Sequence, residues 1–157
     1  MSSITHYLQT PVGCISFAFE DDILVKMAYL YDAKKKSRQK PSKTQSRFLK
    51  QITEYFKQPQ AFDVPLHADM GTPFQLRVWQ ALLDIPSGQT RTYGELAKKL
   101  KTSARAIGMA CRTNPLPLIV PCHRVVSANG IGGFCGKLDG KPISVKEWLL
   151  THEAGLH

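Results

Sequence analysis

The feature that most restricts the folding of this chain is the punctuation of its second half, where capping residues and prolines leave room only for short helices. Thr72-Pro-Phe-Gln75 has the form of a capping box with proline at the first helical position. The spacing predicts a helix that starts there, carries Phe74, Val78 and Leu82 on one face and stops by Pro86. Thr92-Tyr-Gly-Glu95 is a second capping box, opening a short helix with Leu96 and Leu100 inward and Tyr93 in its exposed first turn. After a turn at Lys101-Thr102, Ser103 caps a third helix running to about Arg112. Ala104, Ile107 and Cys111 share one of its faces; Arg105, Gly108 and Arg112 share the other. Two short helices across a tight turn have the form of a helix-turn-helix. A face with glycine between two arginines brings its backbone close to whatever it meets, which suits a groove, although Ala106, Gly108 and Ala110 would equally permit close helix packing. A third capping box, Ser144-Val-Lys-Glu147, predicts a last helix ending at Gly155, with His152 and Glu153 in its final turn.

The first half is patterned differently. Residues 15–19 and 23–30 are β-rich runs flanking the acidic turn Glu20-Asp21-Asp22, which predicts a hairpin. Residues 33–43 carry Lys34, Lys35, Lys36, Arg38, Lys40 and Lys43 without an apolar period and read as an exposed basic loop, solvated or anion-binding. Phe48, Ile52 and Phe56 then mark a helix ending before Pro59, and residues 58–70 read as a linker. The expected fold is an α/β N-terminal domain, residues 1–68, plus a mainly helical C-terminal domain, residues 69–157, with a winged-helix-like helix-turn-helix.

With 43% apolar and 21% charged residues the chain supports a packed core and is not of disordered composition. Its 21 Lys and Arg against 12 Asp and Glu give a net charge of +9, which biases it toward polyanions and makes nucleic acid the first partner to test. The N-terminus lacks a basic n-region, and Lys26 breaks the best apolar run, so a cytoplasmic protein without a membrane segment is expected. Cys14, Cys111, Cys122 and Cys135 have no C-x-x-C spacing and read as free thiols, with no metal site.

The chemistry is concentrated in Asn114-Pro-Leu-Pro-Leu-Ile-Val-Pro-Cys-His-Arg-Val-Val126. Prolines at 115, 117 and 121 stiffen the chain around one cysteine and one histidine, as rigid placement of a nucleophile requires. If Pro121 opens a helical turn, Cys122 sits near its N-terminus beside His123, an environment that favours thiolate. The residues alone leave a reactive Cys122 and a buried structural thiol as open alternatives.

Pro121-Cys-His-Arg-Val125 resembles the active-site signature of the O6-alkylguanine-DNA alkyltransferases, the methylated-DNA-protein-cysteine methyltransferases. Gly71-Thr-Pro-Phe-Gln75, Ile85-Pro-Ser-Gly88, Thr92-Tyr-Gly-Glu-Leu-Ala97, Ala104-Arg-Ala-Ile-Gly108, Asn114-Pro115 and Lys146-Glu-Trp-Leu-Leu-Thr-His-Glu153 are similar to that family's other motifs, in its order, over residues 71–155. The resemblance implies a monomeric, cofactor-free protein that binds duplex DNA and flips an O6-alkylguanine, or an O4-alkylthymine, out of the stack. It then transfers the alkyl group irreversibly to Cys122. The catalytic residues so implied are Cys122, His123 as base, Glu153 as orienter and Tyr93 as donor to the purine N3. Arg105 takes the place of the ejected base, Tyr93 assists its rotation, and Gly108 and Arg112 complete the DNA-binding face. Asn114 braces the turn before the active site. The carbonyls of Cys122 and Val125, the wall of Phe134 and the amides near Cys135 and Gly136 bind the base.

Gly133-Phe-Cys-Gly136 departs from the family's commoner tyrosine followed by a small residue, which bears on the range of alkyl groups accepted and makes Cys135 a candidate second thiol. Cys14, His6 and His67 do not reproduce the zinc ligands of some relatives, so no metal is expected. The competing readings are an alkyltransferase-like damage-recognition protein without transfer, a helix-turn-helix regulator and a thiol hydrolase.

Overall fold

The computed structural model describes residues 3–64, 66–134, 137 and 140–156, so the predicted contacts of Cys135 and Gly136 lie outside the described residues. The chain divides into two compact units, Met1–Asp63 and Val64–His157.

In the first unit, β1 (Ser3–Thr10), β2 (Gly13–Glu20) and β3 (Ile23–Tyr31) form an antiparallel sheet in that order. Asp21 takes a left-handed φ of 54° in the predicted hairpin turn, a conformation aspartate tolerates. The central strand buries Ile15, Phe17 and Phe19 at a period of two. α1 (Lys43–Lys57) covers them, its Phe48 ring meeting Phe17 and Phe19 edge-on at 6.0 and 5.9 Å. This helix opens on a capping box, Ser42 with Gln45, and its buried stripe is Gln45, Phe48, Ile52 and Tyr55, so Tyr55 takes the core position expected of Phe56.

The second unit contains α2 (Pro73–Leu83), β4 (Arg91–Thr92), α3 (Tyr93–Leu100), α4 (Ala104–Arg112), β5 (Val125–Val126) and α5 (Lys141–Glu153). Two of the three predicted capping boxes are formed, with Thr72 and Thr92 hydroxyls accepting from Gln75 and Glu95 N–H at 3.1 and 3.0 Å. Lys101 ends α3 in the left-handed region and Ser103 caps α4, which completes the helix-turn-helix. Trp79 of α2 donates to the Ala110 carbonyl of α4 at 2.9 Å, fixing the second helix of that motif from behind. On α4 the buried residues are Ile107 and Ala110, whereas Ala104, expected inward, is exposed.

The last helix starts earlier than its sequence suggests. Gly140 is the cap residue and Pro142 lies in the first turn, where its fixed φ is already helical. Ser144 therefore lies inside the helix and donates to Gly140 O at 3.2 Å instead of capping. At the other end Gly155 at φ 75° closes a Schellman motif, with Gly155 N–H on His152 O and Leu156 N–H on Thr151 O.

Three local features position the functional segment. Every residue from 116 to 125 is buried, and Asn114 holds the start of this stretch by donating to Val120 O at 2.8 Å and accepting from Leu116 N–H at 2.9 Å. Leu118 adopts φ 80°, a strain of about 1–3 kcal/mol that only close surrounding packing sustains. The two-residue strands β4 and β5 pair in parallel, Arg91 with Val125 and Thr92 with Val126. Since β4 runs directly into α3 and β5 runs directly out of the Cys122–Arg124 turn, this pairing sets Tyr93 beside that turn. Among the described residues no helix is long and apolar enough to cross a membrane.

Candidate active site

Cys122 begins a single 3-10 turn, Cys122–Arg124, and is 6% exposed. That small exposed area faces a cavity of about 540 Å³, large enough for a nucleobase, which Cys122 shares with Tyr93, with Arg105, Gly108 and Arg112 of α4, and with Phe134. At Gly108 the close-packing reading of α4 has no support. A Cβ built there would meet nothing within 4 Å, so the glycine serves no internal packing and leaves the outer face of the helix low.

Behind the cavity lies a buried ionic cluster. His123 Nε2 donates to Glu153 Oε2 at 2.9 Å, while Arg124 grips the same carboxylate with Nε on Oε1 and Nη2 on Oε2, both at 2.8 Å. Arg124 Nη1 also donates to Ile85 O at 2.7 Å. The turn after Ile85 passes so near α5 that a Cβ on Gly88, at φ 86°, would lie 3.1 Å from Glu153 O, which accounts for the glycine of Ile85-Pro-Ser-Gly88.

Burial alone would raise the Glu153 carboxyl. Hydrogen bonds from Arg124 and His123, with the positive charge of Arg124, outweigh it and hold the group well below the usual carboxylate range. Burial lowers His123 below its ordinary value despite the raising influence of Glu153, with Arg124 and Lys146 adding to the depression. The histidine is therefore neutral near pH 7. Because a carboxylate only accepts, the imidazole proton sits on Nε2, and Nδ1 is a buried lone pair with no hydrogen-bond partner among the described residues. A neutral imidazole held by a carboxylate, with its second nitrogen unprotonated, is able to accept a proton at Nδ1.

A second group of side chains organises the loop opposite Cys122. Lys146 is fully buried, and its ammonium donates to Val125 O at 2.6 Å and Gly133 O at 2.8 Å. The Tyr93 hydroxyl donates to the same Gly133 carbonyl at 3.4 Å, and the Lys146 ammonium lies 6.0 Å from the Tyr93 ring centre. Burial pulls Lys146 down to about 8, with the neighbouring sulfurs of Cys122 and Cys111 opposing the shift. Tyr93 is half-buried rather than exposed, because the loop at Gly132 covers it; burial, then Cys111 and Cys122, push its phenol up to about 12. It stays a proton donor at any physiological pH. Cys111 also borders the cavity, but burial pushes it up to about 12 against the charge of Lys146, so it remains a thiol and a poor nucleophile.

The structure thus gathers Cys122, Tyr93, Arg105, Gly108, Arg112 and Phe134 around one cavity and sets His123 and Glu153 in the layer beneath. Asn114 braces the chain from outside the cavity. Of the two carbonyls expected to meet a base, Cys122 O accepts from Val125 N–H and Val125 O accepts from the Lys146 ammonium. Sequence reasoning missed Lys146, although its position three residues from both Ile143 and Leu149 puts it on the buried face of α5. It also missed Met109, 56% exposed at the mouth of the cavity one turn beyond Arg105, and gave Arg124 no part. Among the described residues no three His, Cys, Asp or Glu side chains converge to hold a metal.

Residues 73–155 match the family described as 6-O-methylguanine DNA methyltransferase, DNA binding domain. The chain is 38% identical over 156 residues to the methylated-DNA-protein-cysteine methyltransferase of Methanosarcina mazei, covering 94% of this chain and 95% of the relative. Its backbone is similar to that of the Mycobacterium tuberculosis O6-methylguanine methyltransferase, with a TM-score of 0.76 at 36% identity, covering 98% of this chain and 95% of the other. A crystal structure of Mycobacterium tuberculosis OGT in complex with DNA gives 0.78 at 35% identity, covering 97% and 93%.

Proposed function

The chain belongs to the O6-methylguanine-DNA methyltransferase family, repair enzymes that move an alkyl group from DNA to a cysteine of their own, and from that premise we propose that Cys122 is the acceptor and O6-alkylguanine in duplex DNA the donor. The observation that carries this reading is the small exposed area of Cys122 at a base-sized cavity, rimmed by the low face of α4 and backed by the neutral His123. A base stacked in a duplex offers no approach to its O6 substituent, so the lesion is turned out of the helix into the cavity. Arg105, exposed on α4, fills the space it leaves, and Gly108 lets the helix backbone approach the groove.

His123 Nδ1 takes the Cys122 proton through a water molecule, with Glu153 and Arg124 fixing the ring. The sulfur then attacks the alkyl carbon as the carbon–O6 bond breaks and its electron pair goes to the purine. Tyr93 donates to N3, so that guanine leaves without full negative charge. The product thioether has no good leaving group, and the chain is consumed. O4-alkylthymine is the secondary substrate, the protein acts as a monomer on chromosomal DNA inside the cell, and residues 69–157 form the DNA-binding and alkyl-transfer domain.

The test is a titration of a duplex containing O6-methylguanine against the protein. Lesion loss is expected to stop at one per chain, and Arg105→Ala to slow repair of the duplex more than transfer from the free alkylated base. Continuing turnover, or equal slowing with both substrates, contradicts the reading.

A further inference from the structure

The cations of residues 34–43 have no use in the site described above, and the structure gives them a definite arrangement. The loop is fastened along the outer edge strand β1: Tyr7 N–H donates to Ser37 Oγ at 3.1 Å, and Gln9 Nε2 donates to Ala33 O at 3.3 Å. The Lys35 ammonium rests 5.7 Å from the centre of the Tyr7 ring. Lys35, Lys36 and Arg38 thereby close a concavity of about 490 Å³ against Ser3, Thr5 and Tyr7 of β1.

Residues 34–40 are all exposed, and none of the cations at 34, 35, 36, 38, 40 and 43 forms an ion pair among the described residues. Asp32 is the only carboxylate in residues 32–43. Like charges so close raise the energy of the isolated protein, and an anionic partner relieves that repulsion. The hydroxyls lining the concavity are donors suited to phosphate oxygens.

We propose that this basic cradle on β1 is a second DNA contact, which grips the phosphodiester backbone of duplex DNA without reading its sequence. The proposal rests on the reading of this chain as a DNA-binding protein, not on its alkyl transfer. Being anchored rather than mobile, the loop surrenders little conformational entropy on binding. Its cations release counterions, so its contribution is strongly salt-dependent.

The experiment measures affinity of the full chain for an undamaged duplex by fluorescence anisotropy between about 50 and 200 mM salt. Lys35→Ala/Lys36→Ala/Arg38→Ala is expected to flatten the slope of log K against log salt by about 2 to 3, and to weaken low-salt binding by at least about tenfold. Arg47→Ala/Lys50→Ala/Lys57→Ala removes the same charge from exposed positions of α1 and is expected to produce less than about a third of that effect. An unchanged slope in the cradle variant, or equal effects in both variants, overturns the proposal. Thermal midpoints establish that both variants are folded. Alkyl transfer from the free base to Cys122, expected to be equal in parent and cradle variant, reports on the transfer reading separately.

Discussion

Replacing Glu153 by glutamine would remove the carboxylate that joins His123 to the buried Arg124. The carboxylate side chain is 1% exposed and accepts hydrogen bonds from Arg124 Nε and Nη2, both at 2.8 Å, and from His123 at 2.9 Å. Glutamine offers one acceptor oxygen in place of two and turns an amide donor toward guanidinium donors, so a buried cation is left unpaired. Loss of one partner of a buried pair costs about 3–5 kcal/mol, against a total stability of roughly 5–15 kcal/mol. For a unit of this size that lowers the thermal midpoint by at least about 12 °C. Alkyl transfer, assayed below the new midpoint, should slow by roughly 10²-fold or more as the imidazole loses its fixed tautomer. A second variant separates the two effects. Arg124→Met/Glu153→Leu carries no orphaned charge and should regain part of the lost stability while transfer stays slow. A Glu153→Gln midpoint within about 2 °C of the parent, or a double variant that regains transfer, would refute the reasoning.

Three further outcomes follow from the same geometry. Tyr93→Phe keeps the ring and removes the donor, and should slow transfer roughly 10²-fold while leaving duplex affinity within about twofold; an unchanged rate contradicts the assignment of Tyr93 to N3. Lys146→Met leaves the Val125 and Gly133 carbonyls without their ammonium and should cost about 2–4 kcal/mol, with faster amide exchange in residues 126–134; a stability loss without loosening of that loop contradicts its role as a staple. Because folding depresses the Glu153 carboxyl, the unfolded chain binds more protons in acid. The stability contributed by Glu153 is therefore complete above the ordinary carboxylate value of about 4.3 and is lost as pH falls below it. Urea midpoints should drop more steeply below about pH 4.3 in the parent than in Glu153→Gln, and parallel curves contradict the linkage.

The capped helices were legible because their signals are local. Thr72, Thr92 and Ser103 satisfy N–H groups three residues on, and no tertiary contact is needed to read them. Ser144 carried a similar signal and failed, because Pro142, in the preceding turn, starts the helix first. The cluster beneath the cavity was only half legible. Cys122 and His123 are adjacent in sequence, but the Arg124 grip on Glu153 spans residues far apart, and charge at a buried position has no periodic signature. Lys146 was hidden for the same reason, since a lysine on an apolar helix face reads as a surface residue until two carbonyls are seen to converge on it. The short β4–β5 pairing that brings Tyr93 to Cys122 leaves almost no sequence trace, because two residues are too few to alternate.

The sulfur of Cys122 is the proposed acceptor of the alkyl group. Reduced protein should be incubated with a stoichiometric duplex carrying O6-methylguanine, weighed intact and then digested for peptide mapping by mass spectrometry. One added methyl group per chain, located on Cys122 and absent in Cys122→Ser, is the result expected; repair of the lesion with Cys122 unmodified, or with the methyl group on Cys111 or Cys135, contradicts it.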